Sequence, residues 1–330
     1  MYTRRALILA SLASGVVGPL RCLAQQPGKT WRVGILSARG RPASLATDYY
    51  GAFPQEMRAL GYREGANLAI EWRFAGGEYG RLAGMATELV QLKPDAILAL
   101  GPPAIVEAQK ATAVIAIVMV SSVDPVGAGF VKSLARPGGN VTGLFNLAVD
   151  LSAKHLEMLV AAVPQLSRVA LLVNPENPAH GKLIDNVAAA ARQAGVDIVP
   201  VKAQSPQQIE SAFSIIGQEK ARALIVALDP LFIQQGSQIA TQAAAHRLPS
   251  IFANREYAEA GGFMSYGQNQ AEIYRRAALY VDRIFKGARP ADLPVEQPAV
   301  LELVINAATA RALGITIPQS VLVRADKIIP

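Results

Sequence analysis

Short apolar runs alternate with amphipathic segments along nearly the whole chain from residue 31 onward. The runs end in small polar residues, which is typical of strands buried in a parallel sheet. In the segments between them, apolar residues recur every three to four positions, as Leu82, Met85, Ala86 and Leu89 do, and this spacing predicts helices. Regular alternation of the two patterns predicts an α/β protein built from parallel sheets with helices on both faces.

The apolar runs define the predicted strands, which lie at 31–38, 68–74, 96–100, 116–120, 168–174, 196–201, 223–228, 250–253, 263–266 and 300–305. Most predicted helices begin at a polar cap or a proline. One of them is expected to run unbroken from Pro230 to about His246. Another begins at Asp150 or Ser152, and its Leu156, Leu159, Val160 and Val163 are expected to face inward.

The stretch from Ser121 to Leu147 interrupts this alternation. It contains Asp124-Pro125 followed by two glycines, and then Arg136-Pro137-Gly138-Gly139. Proline fixes φ and glycine permits positive φ, so the stretch predicts a long shaped loop and then the first strand that crosses into a second series of elements. We therefore expect two doubly wound lobes with a cleft beside this stretch.

Ligands of doubly wound sheets bind outside the carboxyl ends of the strands. The polar or small residues that end or follow the predicted strands are therefore ligand-binding candidates: Ser37, Gly101, Ser121, Ser122, Asn174, Asp229 and Asn254. Tyr266 is a further candidate, because an aromatic side chain next to a cleft can form one wall of a site.

Each polar candidate also has a purely structural interpretation. Asp229 precedes Pro230 and is equally suited to capping the next helix, and Asn174 precedes a proline and is suited to an Asx turn. The serines can satisfy local backbone groups, and Tyr266 can pack within a hinge. For Asp124, in its glycine-rich loop, turn formation is the favoured role.

The first residues have the pattern of an export signal. Arg4-Arg5 precede the apolar segment Ala6–Val17, and Cys22-Leu23-Ala24 forms a small-x-small cleavage site. Residues 1–24 are thus predicted to be a signal peptide cleaved near Ala24, which places the mature protein in the periplasm. Cleavage removes the only cysteine and leaves 29 basic and 25 acidic residues, a net charge of +4. The small charge excess is dispersed, so no nucleic-acid partner is expected.

Motifs of catalysis and cofactor binding are missing from the sequence. Gly127-Ala128-Gly129 lacks the third glycine of a dinucleotide fingerprint, no P-loop occurs, and the segment 263–267 lacks the first glycine of a nucleophile elbow. The three histidines, His155, His180 and His246, are isolated. We therefore expect no cofactor, no metal site and no enzymatic activity. A periplasmic α/β enzyme and a sensory receptor remain as alternatives.

Several longer motifs give the chain a family resemblance. They are DPVGAGFV at 124–131, LARPGGNVTG at 134–143, GGFMSYG at 261–267, YRRAALYVDRIFKGARPADLP at 274–294 and ELVINAATARALG at 302–314. In these motifs the chain resembles the extracytoplasmic substrate-binding proteins of ABC transporters, in the group related to receptors for tryptophan and other amino acids.

The resemblance implies a type I periplasmic-binding-protein fold, with two lobes joined by a three-segment hinge. The crossings would lie near 142–147, 266–269 and 293–298. Lobe one would comprise 31–145 plus 267–295, and lobe two would comprise 146–266 plus 296–330. The resemblance also implies a small-molecule solute (an amino acid, an aromatic or a related organic compound) and an ABC permease in the membrane as partners.

The sequence departs from this family at the start of one helix. Relatives usually carry Gly-Thr-Pro-Ala where this chain has Gly101-Pro102-Pro103-Ala104. Backbone N–H groups at a helix N-terminus are suited to binding a carboxylate, and two prolines remove two of these donors. We therefore add Pro102 to the ligand-binding candidates and expect a neutral, aromatic or unusual solute in preference to an α-amino acid held in the usual manner.

Overall fold

The computed structural model describes residues 29–330 apart from Thr47, Val123, Leu147 and Ala299. The predicted signal peptide at 1–24 lies outside the described residues. No helix in the described part of the chain is both long enough and apolar enough to span a membrane.

Two separate sheets organise the described residues. Five parallel strands form the first sheet in the order β2-β1-β3-β4-β5. Their bounds are β1 (Trp31–Ser37), β2 (Leu68–Phe74), β3 (Ala96–Leu100), β4 (Ala116–Ser122) and β5 (Val141–Phe145). Seven strands form the second sheet in the order β12-β11-β10-β9-β8-β6-β7. These are β6 (Arg168–Val173), β7 (Asp197–Lys202), β8 (Ala223–Val226), β9 (Ser250–Phe252), β10 (Met264–Gln268), β11 (Leu301–Asn306) and β12 (Lys327–Ile329).

Helices cover both faces of the first sheet, because its strands carry apolar side chains on both sides. One face is covered by α1 (Ala52–Ala59) and α10 (Gln270–Phe285), and the other by α2 (Leu82–Gln91) and α3 (Pro102–Ala111). We call this sheet with its helices lobe one.

The second sheet is also covered on both faces, and with its helices it forms lobe two. One face carries α4 (Ala148–Ala162), α5 (His180–Ala194), α11 (Ala307–Leu313) and α12 (Gln319–Leu322). The other carries α6 (Pro206–Gln218), α7 (Pro230–Gln234), α8 (Gly236–Ala245) and α9 (Arg255–Glu259). The predicted fold class, two doubly wound lobes joined by three segments, is confirmed.

Four local expectations were wrong. Helix α4 begins at Ala148, before the expected caps Asp150 and Ser152. The single helix expected from Pro230 is divided into α7 and α8 at Gln235. Val160 lies exposed on α4, whereas its neighbour Leu159 is fully buried. Strand β11 runs antiparallel to β10, because the chain reaches it through an extended crossing and not through a helical crossover.

The chain passes between the lobes three times, after β5, between β10 and α10, and before β11. These crossing segments run side by side. The N–H of Phe145 donates to the carbonyl of Glu296 at 3.1 Å, and the N–H of Asn269 donates to the carbonyl of Val300 at 3.2 Å. Gly143 in β5, shortly before the first crossing, has φ 128°, and a Cβ there would lie 2.3 Å from the carbonyl oxygen of Met119. Only glycine fits at this position.

Candidate functional site

A cavity lies between the two lobes, at the carboxyl ends of their strands. Lobe one contributes Ser37, Arg39, Tyr49, Tyr50, Leu100, Gly101, Pro102, Val120, Ser121, Gln270 and Tyr274 to its lining. Lobe two contributes Asn177, Ala179, Leu228, Pro230 and Ile233, and Asn146 lies where the first crossing leaves β5. The cavity has a volume of about 60 Å³. Both lobes are thus needed to form the complete cavity.

Three tyrosines and one arginine form the lobe-one wall. The rings of Tyr49 and Tyr274 lie 5.4 Å apart between centroids, and Tyr50 meets Tyr274 edge to face at 5.1 Å. The guanidinium of Arg39 lies 4.9 Å from the ring centroid of Tyr49 and 5.1 Å from that of Tyr50. This arrangement combines aromatic surface with one fixed positive charge, as cation–π contacts permit.

Hydrogen bonds fix Arg39 from several sides. Its backbone N–H donates to Ser37 Oγ at 3.2 Å, and its side chain donates to the Tyr49 hydroxyl and, at 3.4 Å, to Asp48. Burial disfavours the charged guanidinium, but the Tyr49 and Tyr50 phenols and Asp48 outweigh it, and the pKa of Arg39 is raised. The buried Nε of Arg39 has no hydrogen-bond partner among the described residues. These hydrogen bonds therefore do not use every donor of this cation, which lines the cavity.

The tyrosines of this wall are neutral hydrogen-bonding and packing groups. Burial raises the pKa of Tyr49, Tyr50 and Tyr274 above the usual value for a phenol. The Tyr50 hydroxyl shares a hydrogen bond of 2.9 Å with Ser37 Oγ. Ser37, one of the predicted site residues, is thus held at the end of β1 with its oxygen already paired within lobe one.

Helix α3 points its first turn at the cavity. Gly101 is its N-cap with φ 81°, a value that favours glycine, and Pro102 occupies the first turn. Pro102 lines the cavity with ring carbons where other residues would present an N–H group. The structure therefore places both predicted residues at the cavity, together with Ser121, the penultimate residue of β4, which has φ 58°.

Two polar candidates of lobe two, Asn174 and Asp229, belong to a cluster behind the cavity wall. Asp229 is fully buried and caps α7 by accepting the N–H of Leu231 at 2.9 Å. The side-chain amides of Asn174 and Asn177 donate to the same carboxylate at 3.2 Å and 2.8 Å. Helix capping, one of the two roles left open for Asp229, is therefore observed. Neither Asp229 nor Asn174 lines the cavity.

Asp229 also receives a donor from lobe one. The hydroxyl of Tyr79 lies 2.7 Å from Asp229 Oδ2, so this hydrogen bond joins the two lobes. His180 completes the cluster, since its Nδ1 accepts the Asn174 N–H at 2.9 Å. Burial lowers the pKa of His180, so it is a neutral acceptor here. The cluster as a whole holds the Asp229 carboxylate ready for Tyr79.

Asn254 directly precedes α9, is buried and does not line the cavity. Two other predicted site residues also lie elsewhere. Ser122 is fully buried at the end of β4, where its carbonyl accepts the N–H of Asn146 at 2.7 Å. Tyr266 packs against the core of lobe two, and its carbonyl lies 2.6 Å from Nε2 of the buried His155. Neither residue lines the cavity. For Tyr266, packing near the hinge was the alternative interpretation.

Two further contacts join the lobes around the cavity. The N–H of Gly40 donates to Gln234 Oε1 at 2.7 Å, and Lys182 forms an ion pair with Asp124. Asp124 also accepts the N–H of Gly127 at 3.0 Å, which is the turn expected from the sequence. The structure thus has the lobes in contact on several sides of the cavity.

Arg39, Tyr49, Tyr50, Tyr274, Gln270 and Ile233 line the cavity but were not predicted from the sequence. Arg39 and the tyrosine pair lie in the irregular segment after β1, which carries no strand-end signal. The pair Tyr49-Tyr50 next to Asp48 was the available clue. No group of three or more metal-binding side chains is assembled in the described part of the chain.

Comparison with known proteins agrees with this architecture. A conserved domain protein from Vibrio cholerae is 30% identical, with a TM-score of 0.85 over 91% of this chain and 100% of that one. The ABC domain from Streptococcus pneumonia in complex with L-Trp is 26% identical, with a TM-score of 0.82 and the same coverage. A tyrosine-binding protein from Clostridioides difficile (strain R20291) is 26% identical over 263 residues, 79% of this chain and 75% of that protein.

Two lobes that enclose a cavity at their strand ends and are joined by three crossing segments define the class of type I periplasmic binding proteins. The family model for ABC transporter substrate binding proteins matches residues 41–329. The chain belongs to the ABC transporter substrate-binding protein family.

Proposed function

We propose that this protein is the extracytoplasmic solute-binding component of an ABC importer and captures a small organic solute in the cavity between its lobes. One observation supports this proposal most directly. Both lobes line one cavity, and the Tyr79 hydroxyl of lobe one donates a hydrogen bond to Asp229 of lobe two. A solute that touches both walls gains contacts only in the closed form, so it selects that form. The crossing segments would act as the hinge.

We also propose a role for this protein in transport. After removal of 1–24, the protein would act in the periplasm, and its closed form would dock on a membrane permease powered by a separate ATPase. The chain itself would do no chemistry.

The lining supports an aromatic or related organic solute. Tyr49, Tyr50 and Tyr274 offer aromatic surface, and relatives are named for tyrosine or were solved with L-Trp. Pro102 at the start of α3 removes an N–H donor from the position where a carboxylate would dock. We therefore propose that recognition of the polar end depends on Arg39 more than on the helix terminus.

The proposal is tested by a thermal-shift screen of the mature protein against amino acids, aromatic acids and neutral aromatic metabolites. A solute present at 100 times its dissociation constant stabilises the folded state by about 2.7 kcal/mol, which raises the melting temperature measurably. Small-angle scattering then checks whether that solute makes the particle more compact. No shift with any solute, or chemical conversion of one of them, would contradict the proposal and favour the enzyme.

A further inference from the structure

His180 is a buried titratable residue at the start of α5, and its ring lies between two backbone groups. The N–H of Asn174 donates to Nδ1 at 2.9 Å, and Nε2 lies 3.2 Å from the carbonyl oxygen of Leu228. Because a carbonyl oxygen only accepts, Nε2 carries the proton and Nδ1 presents its lone pair to Asn174. The two hydrogen bonds therefore fix His180 as a neutral ring with its proton on Nε2.

Both contacts of the ring lead to the hydrogen bond that joins the lobes. Asn174 also donates its side-chain amide to Asp229 Oδ1 at 3.2 Å, and Leu228 directly precedes Asp229 in the chain. Nε2 of His180 lies 4.0 Å from Asp229 Oδ2, the oxygen that accepts the Tyr79 hydroxyl of lobe one at 2.7 Å. A movement of the ring therefore disturbs the carboxylate to which Tyr79 is bonded.

A second proton on the ring is incompatible with this arrangement. It would bind to Nδ1, where the new N–H would point at the N–H of Asn174, and two donors cannot form a hydrogen bond. The ring would have to leave Asn174, and the carboxylate within 4.0 Å of it is Asp229. An imidazolium that pairs with Asp229 Oδ2 competes with the Tyr79 hydroxyl for the same oxygen. Protonation of His180 thus opposes the hydrogen bond between the lobes.

Burial decides the direction of the pH effect. It lowers the pKa of His180, although the charge of Asp229 acts in the opposite sense. When the lobes separate, Tyr79 leaves Asp229 and water reaches the carboxylate beside the ring, so protonation costs less in the open form. The open form then binds the proton more tightly than the closed form. Closure is therefore favoured above the ordinary pKa of histidine, about 6.5, and is lost as the pH falls below it.

Asp229 dominates the charges that act on the ring. Among the described residues it is the only acid with an oxygen within 4.0 Å of a His180 nitrogen. Helix α5 packs against α4 and β7. The other charged or titratable residues described on α4, α5, β6, β7 and the loop before α5 are Lys154, His155, Glu157, Arg168, Glu176, Lys182, Asp185, Arg192, Asp197 and Lys202. Carboxylates and amines ordinarily titrate outside the range from pH 5.5 to 7.5, and burial lowers the pKa of His155 to about 4. A change in closure within this range therefore reports on His180.

We propose that His180 is a positioning residue for the closed form, and that a proton on its Nδ1 opens the lobes and releases the solute in acid. This inference rests on the proposed function and adds its regulation. At neutral pH the ring holds Asn174 and Leu228 so that Asp229 receives the Tyr79 hydroxyl. In acid the same ring takes the carboxylate away from Tyr79.

The test follows the distance between the lobes in solute-free protein. Cys22 is the only cysteine, so protein produced without residues 1–24 can be spin-labelled at two introduced positions. Ala135→Cys in lobe one and Asp185→Cys in lobe two are both at exposed positions. Pulsed electron paramagnetic resonance then gives the ratio of closed to open molecules. Because one proton distinguishes the two forms, this ratio is expected to fall by about threefold to tenfold between pH 7.5 and 5.5.

Two variants separate a pH response of His180 from a merely structural role. His180→Asn provides a side-chain oxygen that can accept the Asn174 N–H but does not titrate, so its ratio of closed to open molecules is expected to be the same at both pH values. His155→Gln is the control, because His155 is also a buried histidine of lobe two, but its ring contacts the carbonyl of Tyr266 outside the cluster. This variant is expected to open in acid as the wild type does.

Nitrogen NMR of the imidazole rings of the wild type makes the test independent of how well the variants fold. At pH 7.5 the His180 ring is expected to carry its proton on Nε2 alone. A wild-type ratio that is unchanged between pH 7.5 and 5.5, an equal fall in His180→Asn and wild type, or a proton on Nδ1 at pH 7.5 would overturn the inference. None of these measurements uses a solute, so each of these results leaves solute capture to be decided by the thermal-shift screen.

Discussion

Replacing Tyr79 with phenylalanine removes one hydroxyl from the contact between the lobes and leaves the ring in place. That hydroxyl donates to Asp229 at 2.7 Å. Asp229 is fully buried and keeps its three donors from lobe two, the amides of Asn174 and Asn177 and the N–H of Leu231. The variant thus weakens the closed form, whereas lobe two itself keeps its helix cap.

The size of the effect follows from the type of bond. A hydrogen bond to a charged group contributes about 1.5–3 kcal/mol. When the lobes separate, water replaces Tyr79 as a donor, so the lost free energy belongs to closure alone. Because each 1.4 kcal/mol is a factor of ten, the dissociation constant for the solute is expected to rise by about tenfold to a hundredfold.

The measurement is calorimetric titration of wild type and Tyr79→Phe with a solute found in the screen, together with scattering of the solute-free proteins. Tyr62→Phe is the matched control. The Tyr62 hydroxyl donates to Asp282 at 3.0 Å, but both residues belong to lobe one. Tyr62→Phe is therefore expected to lower the melting temperature without changing affinity. Equal affinity of Tyr79→Phe and wild type, or equal weakening by both variants, would refute the role of Tyr79 in closure.

Three further predictions concern strand β5, the ion pair between the lobes and the stability of the protein in acid. Gly143→Ala is expected to destabilise the protein by at least about 2 kcal/mol in urea unfolding, since a Cβ would overlap a backbone carbonyl of β4, whereas Gly139→Ala meets no atom within 4 Å and should be nearly neutral. Lys182→Ala breaks an exposed ion pair between the lobes. The affinity for the solute, measured by titration, should therefore fall less than about fivefold. A difference in affinity between wild type and variant that persists in 1 M salt would contradict this. Burial lowers the pKa of His155 to about 4 in the folded protein, whereas the pKa of an unfolded histidine is about 6.5. The contribution of neutral His155 to the free energy of unfolding is therefore complete above pH 6.5. Up to about 3 kcal/mol of it is lost as the pH falls toward 4. Urea unfolding across this range should show a weaker pH dependence in His155→Gln than in wild type. Equal slopes in wild type and His155→Gln would count against the assignment.

Two sequence features predicted most of the fold and part of the site: the alternation of strands and helices, and the position of polar residues at strand ends. Apolar runs and helical spacing are local properties, and they locate most strands and helices of both lobes. Because parallel strands end at one edge of a sheet, Ser37, Gly101 and Ser121 could be expected to meet, and they line the cavity together. Gly101-Pro102 could be assigned to the site for the same reason, because it marks the end of a strand and the start of a helix.

The rest depends on long-range geometry. Asp229 also follows a strand, but whether its carboxylate faces the cavity or the helix behind it is decided by the donors of Asn174, Asn177 and Tyr79. Arg39 reaches the cavity from an irregular segment, where neither periodicity nor strand ends give a signal. The antiparallel course of β11 depends on the third crossing, which sequence patterning does not encode.

The return of the chain to lobe one through α10 has a consequence for the order of events during synthesis. Trp31 in the first strand stacks on Phe285 at 4.2 Å, and Ile273 and Val281 of the same helix are buried against that sheet. Until translation has passed Phe285, this side of the amino-terminal half is covered only in part, by α1. The half that leaves the ribosome first is therefore completed late, after most of the carboxyl-terminal half has already been made.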